Sequence, residues 1–189
     1  AFVCEPGMQR NRVVVYDLSR RPITVSGTIA VSGGIRYGCA MPRSGDRLYV
    51  PVHDGVAVVD MNPKSPTWRQ EIRKIRTLFT GNSATIFTGP LDLAVTPDGR
   101  KLYVAYGENL SYPAKGSVGY FDLTRSPLRE KLIPVTTGGT LSMLGLNLAT
   151  RSRIVVSADG LHVYTVEFGM NPASMGQFVR GFTRGAMLN

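Results

Sequence analysis

Few residues in this chain are placed to do chemistry, and they are scattered. His53 and Asp54 stand side by side before Gly55. A histidine beside a carboxylate can move a proton or join a metal site, provided other ligands converge on it. The same residues also read as a tight turn in which Gly55 supplies the backbone freedom, and the turn is the simpler reading. The other histidine, His162, falls inside a strand-like run and reads as an ordinary strand residue. Glu108, Asn109, Tyr112 and Lys115 share the longest insertion, 106–116. A long loop on a rigid scaffold is a place for ligand contacts, and equally a solvated decoration.

Two cysteines, Cys4 and Cys39, are too few for a disulfide scaffold and form no CxxC pair. Their strands are expected in neighbouring units, which makes them a disulfide candidate. The alternative is two separate buried thiols that pack as small apolar side chains. No phosphate-binding loop, GxSxG, HExxH, CxxCH or dinucleotide fingerprint occurs. No metal and no cofactor is therefore expected.

The elements that must position these residues repeat. One phrase is a turn followed by a strand: Pro42-Arg-Ser-Gly-Asp-Arg-Leu-Tyr-Val50, Thr96-Pro-Asp-Gly-Arg-Lys-Leu-Tyr-Val104 and Ser157-Ala-Asp-Gly-Leu-His-Val-Tyr-Thr165. A Gly-containing turn between apolar runs is a hairpin signal, and the phrase places Tyr49, Tyr103 and Tyr164 at equivalent strand positions. A second phrase is an apolar run closed by an acid and then a Pro-containing turn: Val13 to Asp17, Val56 to Asp60 and Val118 to Asp122. Each Asp is expected to cap its turn by accepting backbone N–H groups. The phrases alternate along the chain. Their spacing somewhat exceeds the ~40–50 residues of a typical propeller blade, and the excess lies in insertions.

The period predicts four antiparallel strands per unit, with approximate units 1–33, 34–82, 83–138 and 139–189. One strand precedes the Gly turn (38–41, 91–95, 153–156). A second carries the Tyr, a third ends at the Asp, and a fourth follows the Pro turn (23–31, 74–80, 131–135). Ala1-Phe2-Val3 is expected where Leu48-Tyr49-Val50 stands, so the first unit starts at its second strand. The run Arg69–Leu78 has spacing compatible with a helix, but the repeat makes it a strand. The fold class predicted is all-β: β-propeller blades of four antiparallel strands, about three and a half of them, so a partial propeller, either incomplete or completed by another chain.

The phrase Thr96–Val104, followed by Gly119-Tyr-Phe-Asp122-Leu-Thr, resembles the YVTN family of β-propeller repeats. That family is similar to lactonase-type seven-bladed propellers and to archaeal surface-layer proteins. The resemblance covers nearly the whole chain, is good over 35–135 and is poor after Gly169. It implies the blade fold and leaves function open. Lactonase-type catalysis in the family depends on acidic and basic residues, and none of those roles is carried over to a position of this chain.

Bulk properties suit one soluble-type domain: 189 residues, 43% hydrophobic and 19% charged, with 21 Gly and 12 Pro, as in turn-rich β proteins. No apolar run is long enough for a membrane-spanning helix. The net charge of +9 is compatible with an acidic partner or a polyanion. The charges are scattered, however, and no nucleic-acid motif is present. The leading expectation is a non-enzymatic scaffold that presents loops for protein–protein contact or self-association, in a periplasmic or extracellular setting. A lactonase-like or quinoprotein-dehydrogenase-like enzyme part is a second reading, and a basic polyanion-binding propeller a third. Phe178 and Phe182, on the last apolar strand, are expected at the assembly contact.

Overall fold

The computed structural model describes residues 1–5, 12–78, 80, 89–107, 117–134, 149–169 and 177–183. These residues form four antiparallel sheets. Sheet 1 contains β1 (Phe2–Glu5), β2 (Arg12–Asp17) and β3 (Thr24–Ala30). Sheet 2 contains β4 (Arg47–Val52), β5 (Gly55–Asp60) and β6 (Glu71–Arg76). Sheet 3 contains β7 (Gly89–Val95), β8 (Lys101–Gly107), β9 (Ser117–Asp122) and β10 (Glu130–Pro134). Sheet 4 contains β11 (Ala149–Val156), β12 (His162–Gly169) and β13 (Gln177–Thr183). In each sheet the strands pair in chain order, as hairpin-linked neighbours do.

The register places the three tyrosines at one position. Tyr49 faces Val58, Tyr103 faces Tyr120 and Tyr164 faces Gly181 on the following strand. On the preceding strand their partners are Ala40, Ala94 and Val155. The run Arg69–Leu78 yields a strand, β6, as the repeat requires. It begins at Glu71, earlier than the Lys74 expected from sequence. The reason is local: Asp60 N–H donates to Gln70 O at 2.9 Å and Arg69 N–H to Asp60 O at 2.7 Å, so the ladder starts directly after the turn.

Side-chain alternation explains how the sheets stack. Successive residues of a strand point to opposite faces. Leu48, Val50 and Val52 of β4, with Ala57 and Val59 of β5, pack against Cys4, Val13, Val15 and Ile29 of sheet 1. Tyr49, Val56 and Val58 point the other way, onto Leu93, Leu102, Val104 and Phe121 of sheet 3. Tyr103, Ala105 and Val118 then meet Ile154 and Val163 of sheet 4. A middle sheet is thus apolar on both faces, which is why β4 and β5 read as unbroken apolar runs.

The turn acids act locally. Asp17, Asp60 and Asp122 each accept the N–H two residues on: Ser19 at 2.9 Å, Asn62 at 3.0 Å and Thr124 at 3.1 Å. Asp60 is the most engaged, with Thr67 Oγ1 at 2.7 Å and Arg47 Nη1 at 2.9 Å. Hydrogen bonds from the Ser65 and Thr67 hydroxyls and the Asn62 N–H hold its carboxyl down at about 2.

Candidate functional site

The inner ends of all four sheets converge on a cavity of about 530 Å³. Its border includes Phe2 and Cys4 from β1, Tyr37 and Cys39 from the segment before β4, Asp92 from β7 and Arg153 from β11. What aims these residues inward is a shared irregularity. The segment before β4 pairs with it at only two bridges, Ile35 with Val52 and Ala40 with Tyr49. It is longer than the stretch of β4 it faces, so it bulges between them. β7 breaks register between Pro90 and Asp92, and β11 between Arg151 and Arg153. A bulge re-aims side chains and frees backbone groups for other partners. All three lie just before the level marked by the tyrosines.

Polar contacts cross each sheet boundary at this level. Cys4 Sγ lies 3.2 Å from Gly38 O, between sheets 1 and 2. Tyr37 N–H donates to Leu91 O at 3.2 Å, between sheets 2 and 3. Ile154 N–H donates to Asp92 Oδ2 at 3.1 Å, between sheets 3 and 4. Asp92 Oδ1 also accepts the Leu93 N–H at 2.9 Å. Burial pushes the Asp92 carboxyl up, while the two N–H groups and the Arg153 charge pull it down. Gly38 makes room for this carboxylate, since a Cβ at that position would land on it.

Cys4 and Cys39 meet here as free thiols: both border the cavity, and Cys39 packs against the core cluster that contains Cys4. The neighbouring Cys4 holds the Cys39 thiol below its usual value, against burial and the nearby Asp92. For Cys4 the neighbouring Cys39 and burial both act upward. The pair can offer one nucleophilic thiolate and one neighbouring thiol.

His53 and Asp54 are not at the cavity. His53 Nδ1 accepts the Gly34 N–H at 2.9 Å, and its own N–H returns a bond to Gly34 O at 3.0 Å. Asp54 pairs with Lys74 Nζ at 2.9 and 3.0 Å. Both residues thus fasten the β4–β5 turn, His53 to the crossover from sheet 1 and Asp54 to β6. Glu108, Asn109, Tyr112 and Lys115 lie outside the described residues. Phe178 and Phe182 fall on β13, paired with Glu167 and Val163. Among the described residues no group of three or more His, Cys, Asp or Glu is placed to hold a metal ion. Sequence reasoning missed Asp92, Tyr37 and Arg153. The signal for Asp92 was present, an acid inside the apolar run Pro90-Leu-Asp-Leu-Ala-Val95.

Sheets stacked face to face around a common inner edge are found in known structures. The chain is similar to a protein from Lactobacillus plantarum (TM-score 0.62, 16% identity, 96% of this chain and 49% of that one). It is similar to Kuenenia stuttgartiensis hydrazine synthase (TM-score 0.60, 20% identity, 93% and 41%). The β-propeller domain of Myceliophteria thermophila Cps50 (Swd1) also matches (TM-score 0.53, 16% identity, 82% and 42%). The fold is that of β-propeller blades. At these identities the likeness shows the fold alone. The chain spans less than half the length of each of these structures. No family model matches the sequence, and no curated protein matches it. The four sheets are accordingly referred to as blades 1 to 4.

Proposed function

We propose that this chain is a non-enzymatic propeller scaffold of YVTN-like type that works through protein–protein assembly, a second copy being the simplest partner. The observation that carries this reading is the apolar face that blade 4 leaves exposed among the described residues. Tyr49 and Tyr103 bury against the next blade and are 5% and 1% exposed, whereas Tyr164 at the same position is 39% exposed. Its cross-strand partner Val155 is 58% exposed. An apolar blade face is built to be covered, and an uncovered one marks an interaction surface. Blade 1 adds an open edge. Among the described residues β1 is paired only with β2, although β4, β8 and β12 have neighbours on both sides. Ala1 exchanges both backbone bonds with Tyr16. The antiparallel alternation then turns the N–H and C=O of Phe2 and Cys4 away from β2. Free strand edges of this kind accept a further strand.

Sedimentation velocity across a range of concentrations tests the reading. Wild-type protein should associate, and Val155→Asp with Tyr164→Asp should abolish association while leaving the β-sheet circular dichroism intact. A wild-type monomer at every concentration would overturn it.

A second reading, part of a lactonase-like or quinoprotein-dehydrogenase-like enzyme outside the cytoplasm, draws support from the cavity. Its volume falls within the ~300–1,000 Å³ range of small-molecule sites, and Asp92 with the two thiols lies on its wall. In that case the substrate would contact Asp92, and Asp92→Asn should remove turnover without unfolding the chain.

A further inference from the structure

The geometry points to a thiol–disulfide exchange site at Cys4 and Cys39, with small disulfides such as oxidised glutathione as its substrate class. The inference rests on the cavity and not on the assembly reading. Three observations carry it. First, the two thiols come from different blades, yet the bulge before β4 sets Cys39 against the core cluster that contains Cys4. Second, both border the same open cavity of about 530 Å³, so a small disulfide has a route to them. Third, their exposure differs. Cys4 is buried, with its Sγ against Gly38 O, while Cys39 is half-buried. The partly exposed thiol is the one held below its usual value by its neighbour, and the thiolate is the attacking species.

The order of steps follows. The Cys39 thiolate attacks one sulfur of the small disulfide RSSR. A Cys39–S–S–R bond forms and RS⁻ leaves. Cys4 then attacks the Cys39 sulfur of that mixed disulfide, giving Cys4–S–S–Cys39 and a second RS⁻. The two thiol protons leave on the two RSH molecules. The protein is oxidised by two electrons and the small disulfide is reduced to two thiols. The product joins β1 of blade 1 covalently to the inner segment of blade 2. An excess of small thiol runs the steps backward.

The test uses the whole chain, purified reduced, with oxidised glutathione as the probe. Samples are quenched with acid over time and mapped by non-reducing peptide mass spectrometry. In wild-type protein glutathione should appear transiently on Cys39 and then give way to the Cys4–Cys39 bridge. Cys4→Ser should stop at the Cys39 adduct. Cys39→Ser should react at least tenfold more slowly than wild type, because the remaining thiol is buried. The wild-type time course stands by itself if either variant fails to fold. First modification at Cys4, a stable Cys39 adduct in wild type, or thiols that react only after denaturation would each overturn the assignment.

Discussion

Glu130 Oε2 accepts the backbone N–H of Leu78 at 2.6 Å, so a side chain on the outermost strand of blade 3 holds the chain as it leaves blade 2. Glu71 does the same one blade earlier, taking the Ser32 N–H at 2.6 Å and the Ser32 Oγ at 2.8 Å. The two acids are equivalent: each pairs with the residue just before the turn acid, Phe121 for Glu130 and Val59 for Glu71. Ser32 and Leu78 are equivalent too, each two residues past the end of the preceding blade's outer strand. Glu130 further accepts the Tyr106 hydroxyl. Gly119 leaves space for it, since a Cβ there would collide with the carboxylate.

The strap at Glu130 contributes to stability through bonds that its removal would leave broken. Glu130→Ala should lower the unfolding free energy by about 1–3 kcal/mol, the usual cost of taking a charged acceptor from a buried donor, here the Tyr106 hydroxyl. Urea denaturation monitored by fluorescence measures this. Glu130→Gln keeps an acceptor and should lose less. Equal losses for the two variants would refute the strap.

Asp60 and Glu130 should respond to acid with opposite signs. The folded Asp60 carboxyl lies near 2, below its unfolded value of about 3.9. Its stabilisation is present above about pH 4 and is lost as pH falls toward 2. Burial raises the Glu130 carboxyl above its ordinary value of about 4.3. Its ionisation therefore costs stability as pH rises through the folded value. Urea midpoints from pH 2 to 7 check both. Asp60→Asn should flatten the loss below pH 4, and Glu130→Gln should remove the cost above it.

Gly38→Ala should be disruptive although alanine is small. Its Cβ would displace the Asp92 carboxylate and with it the bond to Ile154. A loss of about 1–3 kcal/mol is expected, together with faster amide exchange at Ile154. Combining it with Asp92→Ala should restore part of the loss. A double-mutant cycle without coupling would show that the two positions are independent.

His53→Ala should act on one crossover. Without Nδ1 the Gly34 N–H loses its acceptor, while Asp54 and Lys74 keep their pair. Hydrogen exchange at Gly34 should rise several-fold with little change in global stability. A global loss as large as that of Glu130→Ala would show that His53 does more than hold the crossover.

The blade pattern was legible because it resides in local signals. Asp98-Gly99 and Asp159-Gly160 mark turns, the tyrosines mark strand centres, and Asp17, Asp60 and Asp122 mark strand ends. The straps were not legible. Glu71 and Glu130 open strands of unlike sequence, EIRKIR and EKLIP, after turns of different length, so they align only once the register is known. The cavity was hidden for a related reason. Tyr37, Cys39 and Asp92 reach it through bulges, and a bulge has no signature in strict apolar alternation. His53 drew attention as a reactive type, yet its nitrogen is spent on a backbone N–H.

The inner bonds at Gly38, Leu91 and Asp92 have a geometric consequence. Apolar packing between blades sets their separation but is tolerant of tilt, because it is non-directional. A directional bond at the narrow end of each wedge fixes the angle at which one blade follows the next. Three such pins in succession make curvature a property of each joint, repeated along the chain, so that the radius of the arc is written blade by blade at its inner rim.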